Sequence, residues 1–234
     1  MTYTRRVTAI RSCIAAAVLS CVVTVAATAQ APPAWPDTFV GRLEAFAVIQ
    51  TLNAQLLASR SATQTLETWC GDHQLAAEPK IVARLVTGVE KPPSADQRQR
   101  LRVAPTDVVK YRHVQLVCGS RVLSEADNWY VPGRLTAEMN RLLETTGTPF
   151  GTAVRSLEPV RQTVDATMLW SPLPERWESG AGTALPGTPN AALMIPDALF
   201  AHRAVLFTGD RVPFSEVYEV YQRQILAFPP PALR

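Results

Sequence analysis

The sequence predicts an α+β domain in which helices pack on a single antiparallel β-sheet. Residues 38–57 repeat apolar side chains at helical spacing, whereas two later stretches alternate in polarity and turn back as hairpins. Helices at the start followed mainly by hairpins are typical of this class. A length of 234 residues with 47% hydrophobic side chains suits one domain with a sizeable core, which we place at residues 38–228.

The start of the domain is predicted to be helical. A long amphipathic helix over 38–57 precedes a second helix over 62–70, with Ser61 as its N-cap and Gly71 as its terminator. A strand over 81–86 and a polar helix over 95–101 are predicted before the first hairpin, and a helix over 135–143 is predicted after it.

The first hairpin extends over about residues 107–131, with a tight turn at Gly119 and Ser120. Alternation places Arg112 on the same face as Val114, Leu116 and Cys118. A guanidinium on an apolar face needs an anion, because it is costly to leave it unpaired there.

The second hairpin extends over 199–221 with a turn at Gly209, and its return strand carries a second inward charge. Glu216 shares a face with Phe214 and Tyr218, whereas Glu219 lies on the opposite face. Two interpretations stay open. Arg112 and Glu216 form a buried ion pair, or they face a pocket in which Arg112 binds a ligand carboxylate and Glu216, with a pKa raised by burial, is a general acid.

Residues 1–29 have the pattern of a cleaved export signal of the general, twin-arginine or lipoprotein type. Arg5, Arg6 and Arg11 precede an apolar run that ends in small residues, and the run is too short and alanine-rich for a stable membrane anchor. The mature protein is therefore expected to be periplasmic or secreted. A proline-rich linker is expected at 30–37.

Charge and histidine spacing exclude two classes of partner. Removal of the three signal arginines from the 23 basic residues leaves 20, against 20 acidic residues, so the mature chain has no net charge to attract nucleic acid. His73, His113 and His202 lack the spacing of metal ligands, so no metal is expected.

Two cysteines, Cys70 and Cys118, remain after signal removal, and an exported protein is expected to join them in a disulfide. Residues 171–190 are rich in proline, glycine and serine. So long a loop in a compact domain indicates a flap over a site or a flexible insert.

Four motifs, in order, resemble the chorismate pyruvate-lyase family. They are YRHVQLVC from Tyr111, WYVP from Trp129, the turn TPFG from Thr148, and GDRVPFSE from Gly209. The resemblance implies that family's fold, an antiparallel sheet with an internal ligand pocket, which also occurs as the effector-binding domain of GntR-type regulators.

The resemblance also implies site residues and a reaction. Arg112 matches the arginine that binds a substrate carboxylate, Glu216 matches the catalytic glutamate, and Phe150 and Gly151 lie in the turn that contacts the ligand. The reaction implied is elimination of pyruvate from chorismate to give 4-hydroxybenzoate, without a cofactor.

Three functions are therefore expected from the sequence. One is an exported lyase acting on chorismate or another enolpyruvyl compound, and one is a periplasmic module that binds a small carboxylated aromatic ligand without turnover. The third is a structural domain in which Arg112 and Glu216 pair. The export signal opposes the lyase, since chorismate is made in the cytoplasm, and fold alone does not decide function.

Overall fold

A six-stranded antiparallel sheet forms the centre of the fold, in the strand order β1-β2-β3-β6-β5-β4. In the computed structural model, residues 1–2, 34–88, 90–180 and 190–231 are described. The strands are β1 (Ile81–Leu85), β2 (Lys110–Cys118), β3 (Arg121–Tyr130), β4 (Val160–Met168), β5 (Ala198–Phe207) and β6 (Pro213–Gln222). Both predicted hairpins are present, and the two edge strands of the sheet are β1 and β4.

The described residues include five α-helices, and the predicted α+β class is confirmed. They are α1 (Phe39–Ala58), α2 (Ala62–Asp72), α3 (Ala95–Leu101), α4 (Ala137–Thr145) and α5 (Phe150–Ala153). Side-chain caps begin four of them, since Thr38, Ser61, Ser94 and Thr136 each accept a hydrogen bond from the first helical turn. None of the helices in this part of the chain is both long and apolar enough to cross a membrane.

The two faces of the sheet have different coverings. On the inner face, α1 and α2 bury Ile49, Leu52 and Leu66 in one cluster with the strand residues Val114 and Phe200. Burial of this apolar area from water is the main stabilising contribution to the fold. On the outer face, α3 covers one end of the sheet.

The sheet is thus buried on both sides at that end, where Leu101 of α3 packs against Trp129 and Val131.

Gly71 does not end the second helix, contrary to the sequence prediction. Helix α2 continues through Gly71 to Asp72, and His73 is its C-cap. The left-handed position is taken by Gln74 (φ 51°), whose N–H donates to the Gly71 carbonyl oxygen at 3.0 Å. Gly71 is instead in close contact with Pro79, whose Cβ would lie 3.3 Å from a Cβ at this position.

The segments expected to be a linker and a flap are partly described, and both described parts pack on the domain. Trp35, within 30–37, is buried, and its indole N–H donates to the Leu226 carbonyl oxygen at 3.0 Å. Trp177, within 171–190, packs edge-to-face against Phe39 and Phe46 of α1. Residues 181–189 and the expected export signal beyond residue 2 lie outside the described residues.

A disulfide joins Cys70 near the end of α2 to Cys118 at the end of β2, with a Cα–Cα distance of 6.4 Å. The same pair was expected from the sequence. The bond ties α2 to the strand that carries Arg112, and thereby holds two walls of the site described next.

Candidate functional site

Arg112 is a buried cation with unused hydrogen-bonding capacity. It points from β2 to the inner face, and only 4% of the residue is exposed. Its Nη2 donates to the Thr148 and Thr146 carbonyl oxygens at 3.0 and 3.4 Å. Its Nε and Nη1 are buried and have no hydrogen-bond partner among the described residues. A buried, half-satisfied guanidinium is costly unless an anion completes its hydrogen bonds.

Burial lowers the pKa of Arg112, while the nearby Tyr130 acts in the opposite direction. An arginine side chain nevertheless keeps its proton in proteins, so the group stays cationic at neutral pH. Burial also raises the pKa of Tyr130 to about 12, so this phenol is neutral and does not balance the charge. Arg112 is therefore a buried cation without an anionic partner among the described residues.

A cavity lies beside Arg112 between the inner face of the sheet, the start of α2 and the start of α5; we call it the central cavity. Its described lining residues are Arg60, Ser61, Ala62, Thr63, Arg112, Val114, Leu116, Ala126, Asn128, Phe150, Gly151, Pro159, Arg161, Leu206, Val217 and Glu219. The walls are mainly apolar, which is typical of small-molecule sites with a few polar groups that orient the ligand.

The space open to the centres of water molecules measures about 60 Å³. One water molecule needs ~10–15 Å³ of such space and occupies ~30 Å³ in the liquid. The cavity therefore has room for roughly four to six waters, which corresponds to ~120–180 Å³ of liquid. That is the size of a small acid with a single ring. The exposed Arg60 lies where the cavity meets solvent.

The N-terminus of α2 contributes a second feature that favours an anion. Ser61 caps the helix by accepting from the Gln64 N–H at 3.3 Å, and Ala62 and Thr63 follow in the first turn, all three lining the cavity. The first N–H groups of an α-helix lack intrahelical partners and carry a partial positive charge. Arg112 and this helix end thus give the cavity two sources of positive potential.

Phe150 and Gly151 form the third wall, at the start of α5. A Cβ on Gly151 would lie 3.2 Å from the Thr63 hydroxyl and 3.3 Å from the Ser61 hydroxyl, so glycine permits the close approach of α5 to α2. Phe150 packs against Tyr130 and Phe214, with ring centres 5.8 and 6.3 Å apart. The structure therefore brings the sequence-predicted residues Arg112, Phe150 and Gly151 together.

Glu219 is the carboxylate of the central cavity. It lies buried on the inner face of β6, and its Oε2 accepts from Arg161 Nη2 at 2.7 Å and from the Tyr221 hydroxyl at 3.2 Å. Because this ion pair is internally balanced, Arg112 remains a buried charge of the cavity without an ionic partner among the described residues, in addition to the exposed Arg60. Glu219 is not among the sequence-predicted site residues, because the sequence pattern assigns it to the outer side of the sheet.

Glu216 lies on the outer face, opposite to Arg112, so the prediction that the two share a pocket or an ion pair is wrong. The strand register explains this: Arg112 is opposite Asn128, which is opposite Val217, whereas Glu216 is opposite Trp129. Residues directly opposite one another share a face.

Glu216 is fully buried and is bound by two arginines. Arg100 of α3 donates to both of its carboxylate oxygens, at 2.7 and 2.9 Å, and Arg203 donates at 2.9 Å. Burial by itself raises the pKa of Glu216, but the hydrogen bonds from these two arginines outweigh burial and hold the pKa below its usual value. An ionised Glu216 is not a general acid, contrary to expectation, and instead attaches α3 to the sheet.

No residue cluster in the described part of the chain has the composition of a metal site with three or more His, Cys, Asp or Glu ligands. A second cluster on the outer face surrounds Asp127, which accepts from Lys91, Tyr111 and His113 at 2.6, 2.5 and 2.7 Å. This carboxylate has its charge and hydrogen bonds matched by its neighbours.

Comparisons with known proteins give one strong sequence relative and several partial structural similarities. No protein-family model matches the chain. Among solved structures, PhnF from Mycobacterium smegmatis has a TM-score of 0.45 at 16% identity and covers 74% of this chain and 68% of that chain.

The ligand-binding domain of a GntR-family regulator from Bordetella bronchiseptica has a TM-score of 0.38 at 17% identity, covering 61% of this chain and 82% of that chain. With TM-scores below 0.5, these similarities are too partial to establish a shared function.

The sequence relative is the uncharacterized protein y4mC from Sinorhizobium fredii (strain NBRC 101917 / NGR234). It is 52% identical over 200 residues, which are 85% of this chain and 84% of the relative. Identity at this level over most of both sequences shows that the chain belongs to the y4mC family.

Proposed function

We propose that this protein binds a small carboxylated ligand in the central cavity, with Arg112 as the group that binds the carboxylate. The observation that carries the proposal is the pair of buried guanidinium nitrogens, Nε and Nη1, that have no partner among the described residues. Each of these two N–H groups can donate a charge-assisted hydrogen bond to a carboxylate oxygen. The α2 N-terminus adds favourable potential for the same charge.

The apolar walls and the volume of the central cavity favour a small aromatic or aliphatic acid as the ligand. Val114, Leu116 and Val217 offer surface to a ring or short chain, and the cavity has room for one ring. Benzoate and 4-hydroxybenzoate are therefore suitable probes.

Calorimetric titration of the full chain with benzoate tests the proposal. We expect Arg112→Gln to weaken binding about 10- to 100-fold, the effect of losing hydrogen bonds to a charged group. Arg84→Gln is the matched control, because Arg84 is exposed on β1 and donates only to Gln115, at 3.4 Å, among the described residues. Unchanged affinity in Arg112→Gln contradicts the proposal.

A second candidate is a lyase that eliminates pyruvate from chorismate. The observation that favours it is that the cavity contains a carboxylate as well as an arginine, although the carboxylate is Glu219 rather than Glu216. Arg112 would bind substrate and Glu219 would move the proton. Formation of 4-hydroxybenzoate, followed by absorbance, tests this candidate: activity must exceed the spontaneous rate, fall in Glu219→Gln and persist in Glu216→Gln.

We propose that the protein acts outside the cytoplasm, and the Cys70–Cys118 disulfide supports this location. N-terminal sequencing of the protein recovered from the periplasm or the medium tests it, with cleavage expected near residue 29. A bond that closes 48 residues contributes about 4 kcal/mol in the chain-entropy account, so reduction is expected to lower the melting temperature clearly.

A further inference from the structure

A second groove lies at the tip of the β5–β6 hairpin, beside the start of β4, and we call it the hairpin groove. Its volume is about 490 Å³. Three arginines line it together with a small apolar surface; the residues are Arg102, Arg161, Arg211, Val160, Gln162, Phe207 and Gly209. None of the described residues that line it is acidic.

Arg161 is the buried member of this set and has a hydrogen-bond donor to spare. Its side chain is only 5% exposed. One nitrogen, Nη2, is used by Glu219, but Nε is buried and has no partner among the described residues. Exposed arginines on their own are usually solvated, whereas a buried guanidinium N–H without a partner is costly and indicates a missing acceptor.

Arg102 and Arg211 are held at the exposed rim by backbone and ring contacts. Arg102 Nη1 donates to the Arg211 carbonyl oxygen at 3.2 Å, and the Arg102 guanidinium carbon lies 6.0 Å from the centre of the Phe207 ring. The Arg211 N–H donates to the Thr208 carbonyl oxygen at 2.9 Å, which fixes the turn. The rim therefore has the Arg102 guanidinium beside an aromatic ring and the exposed Arg211 on a turn with a fixed backbone.

We propose that the hairpin groove binds a phosphate monoester carried by a small aromatic or apolar molecule. A dianionic phosphate matches three arginines better than a monocarboxylate does, because it carries a second negative charge and a third oxygen acceptor. Phe207 and Val160 offer contact area for the organic part of the ligand. This site is separate from the proposed carboxylate site, although Arg161 lines both.

Calorimetric titration of the full chain with phenyl phosphate, and in parallel with inorganic phosphate, tests the proposal. We expect phenyl phosphate to bind more tightly than inorganic phosphate. Arg211→Asn is expected to weaken its binding about tenfold or more, since a charged donor is lost. Asparagine tolerates the left-handed backbone of Arg211, which has φ 59°.

Arg176→Asn is a matched control, because Arg176 is also exposed and has the same φ of 59° but lies outside the groove. It should keep wild-type affinity, and so should Arg112→Gln, whose effect belongs to the central cavity. Arg102→Gln is a second groove variant if Arg211→Asn fails to fold, with the same expected loss.

The proposal is overturned if phenyl phosphate does not bind at millimolar concentration, or if the folded groove variants bind it like the wild type. It is also overturned if Arg176→Asn weakens binding equally, or if Arg112→Gln abolishes phosphate binding, which would assign the phosphate to the central cavity. None of these outcomes depends on whether benzoate binds.

Discussion

Arg161 and Glu219 form an ion pair across an intervening strand. Arg161 on β4 donates to Glu219 on β6 at 2.7 Å, and by register Ala204 of β5 lies between them on the inner face. A larger side chain at this position would separate the two groups. The pair closes the far wall of the central cavity, and both side chains are almost fully buried, 5% and 6% exposed.

Glu219→Gln is expected to destabilise the protein by about 3–5 kcal/mol, because removal of one partner leaves a buried guanidinium uncompensated. Urea unfolding followed by circular dichroism measures the change. Glu138→Gln is the control: Glu138 pairs with Arg141 at 2.6 Å on the surface of α4, and its loss should leave stability nearly unchanged. Equal stability of the two variants would contradict a structural role for the buried pair.

Arg112→Met, in contrast to Glu219→Gln, is expected to change stability little but to abolish ligand binding. The substitution removes a buried charge with two unsatisfied nitrogens, at the cost of the bonds to the Thr146 and Thr148 carbonyl oxygens. These effects oppose one another, so stability should change by no more than about 1 kcal/mol while benzoate ceases to raise the melting temperature. A large loss of stability would show that the guanidinium has a structural role instead.

Much of the fold could be predicted from the sequence, because the local signals agree. The caps at Ser61 and the turn at Gly119 are in place, and α3 has the predicted bounds of residues 95–101. The inward orientation of Arg112 also followed from alternation, because buried and partly buried residues alternate along β2 from Arg112 to Leu116. Gly71 failed as a terminator because a glycine inside a helix carries the same local signal as one at its end.

The side of the sheet on which Glu216 lies could not be predicted from the sequence, for a physical reason. The first half of β6, which contains Glu216, is buried on both faces, because α3 covers the outer side there, so apolar residues on a face no longer distinguish inside from outside. Register with β3 decides between Glu216 and Glu219, and a shift of one residue exchanges them. Asn128 lines the cavity because its register places it on the same face as Arg112 and Val217.

Glu216→Gln is expected to lower stability at neutral pH but to leave benzoate binding unchanged. The pKa of Glu216 is lower in the folded protein than its ordinary value of 4.5, because the bonds from Arg100 and Arg203 outweigh burial. A group with a depressed folded pKa contributes stability above its unfolded pKa and loses it as the pH falls through the folded pKa.

The stability difference between wild type and Glu216→Gln should therefore be largest above pH 4.5 and shrink at lower pH. Urea unfolding at a series of pH values measures this difference. A difference that is constant with pH, or a loss of benzoate binding, would contradict the assignment of Glu216 to the outer face as an ionised anchor for α3.

His202 makes the stability of the protein depend on pH in a higher pH range than Glu216 does. Burial lowers the pKa of His202 to about 4, against a smaller opposite effect of Glu219, while Arg161 adds to the lowering and Asp165 opposes it. The imidazole is fully buried, and its Nε2 lies 2.8 Å from Asn53 Oδ1. The unfolded chain therefore binds a proton near pH 6.5 that the native protein does not bind until about pH 4.

Stability should accordingly be complete above pH 6.5 and decline as the pH falls from 6.5 towards 4. The shift corresponds to about 3 kcal/mol over that range. His202→Gln removes the titrating group, so its stability should be lower at pH 7 and flatter between pH 6.5 and 4, whereas His73→Gln should retain the His202 contribution. Unfolding free energies from urea titrations across this range measure both, and an unchanged slope in His202→Gln would mean that another group causes the pH dependence.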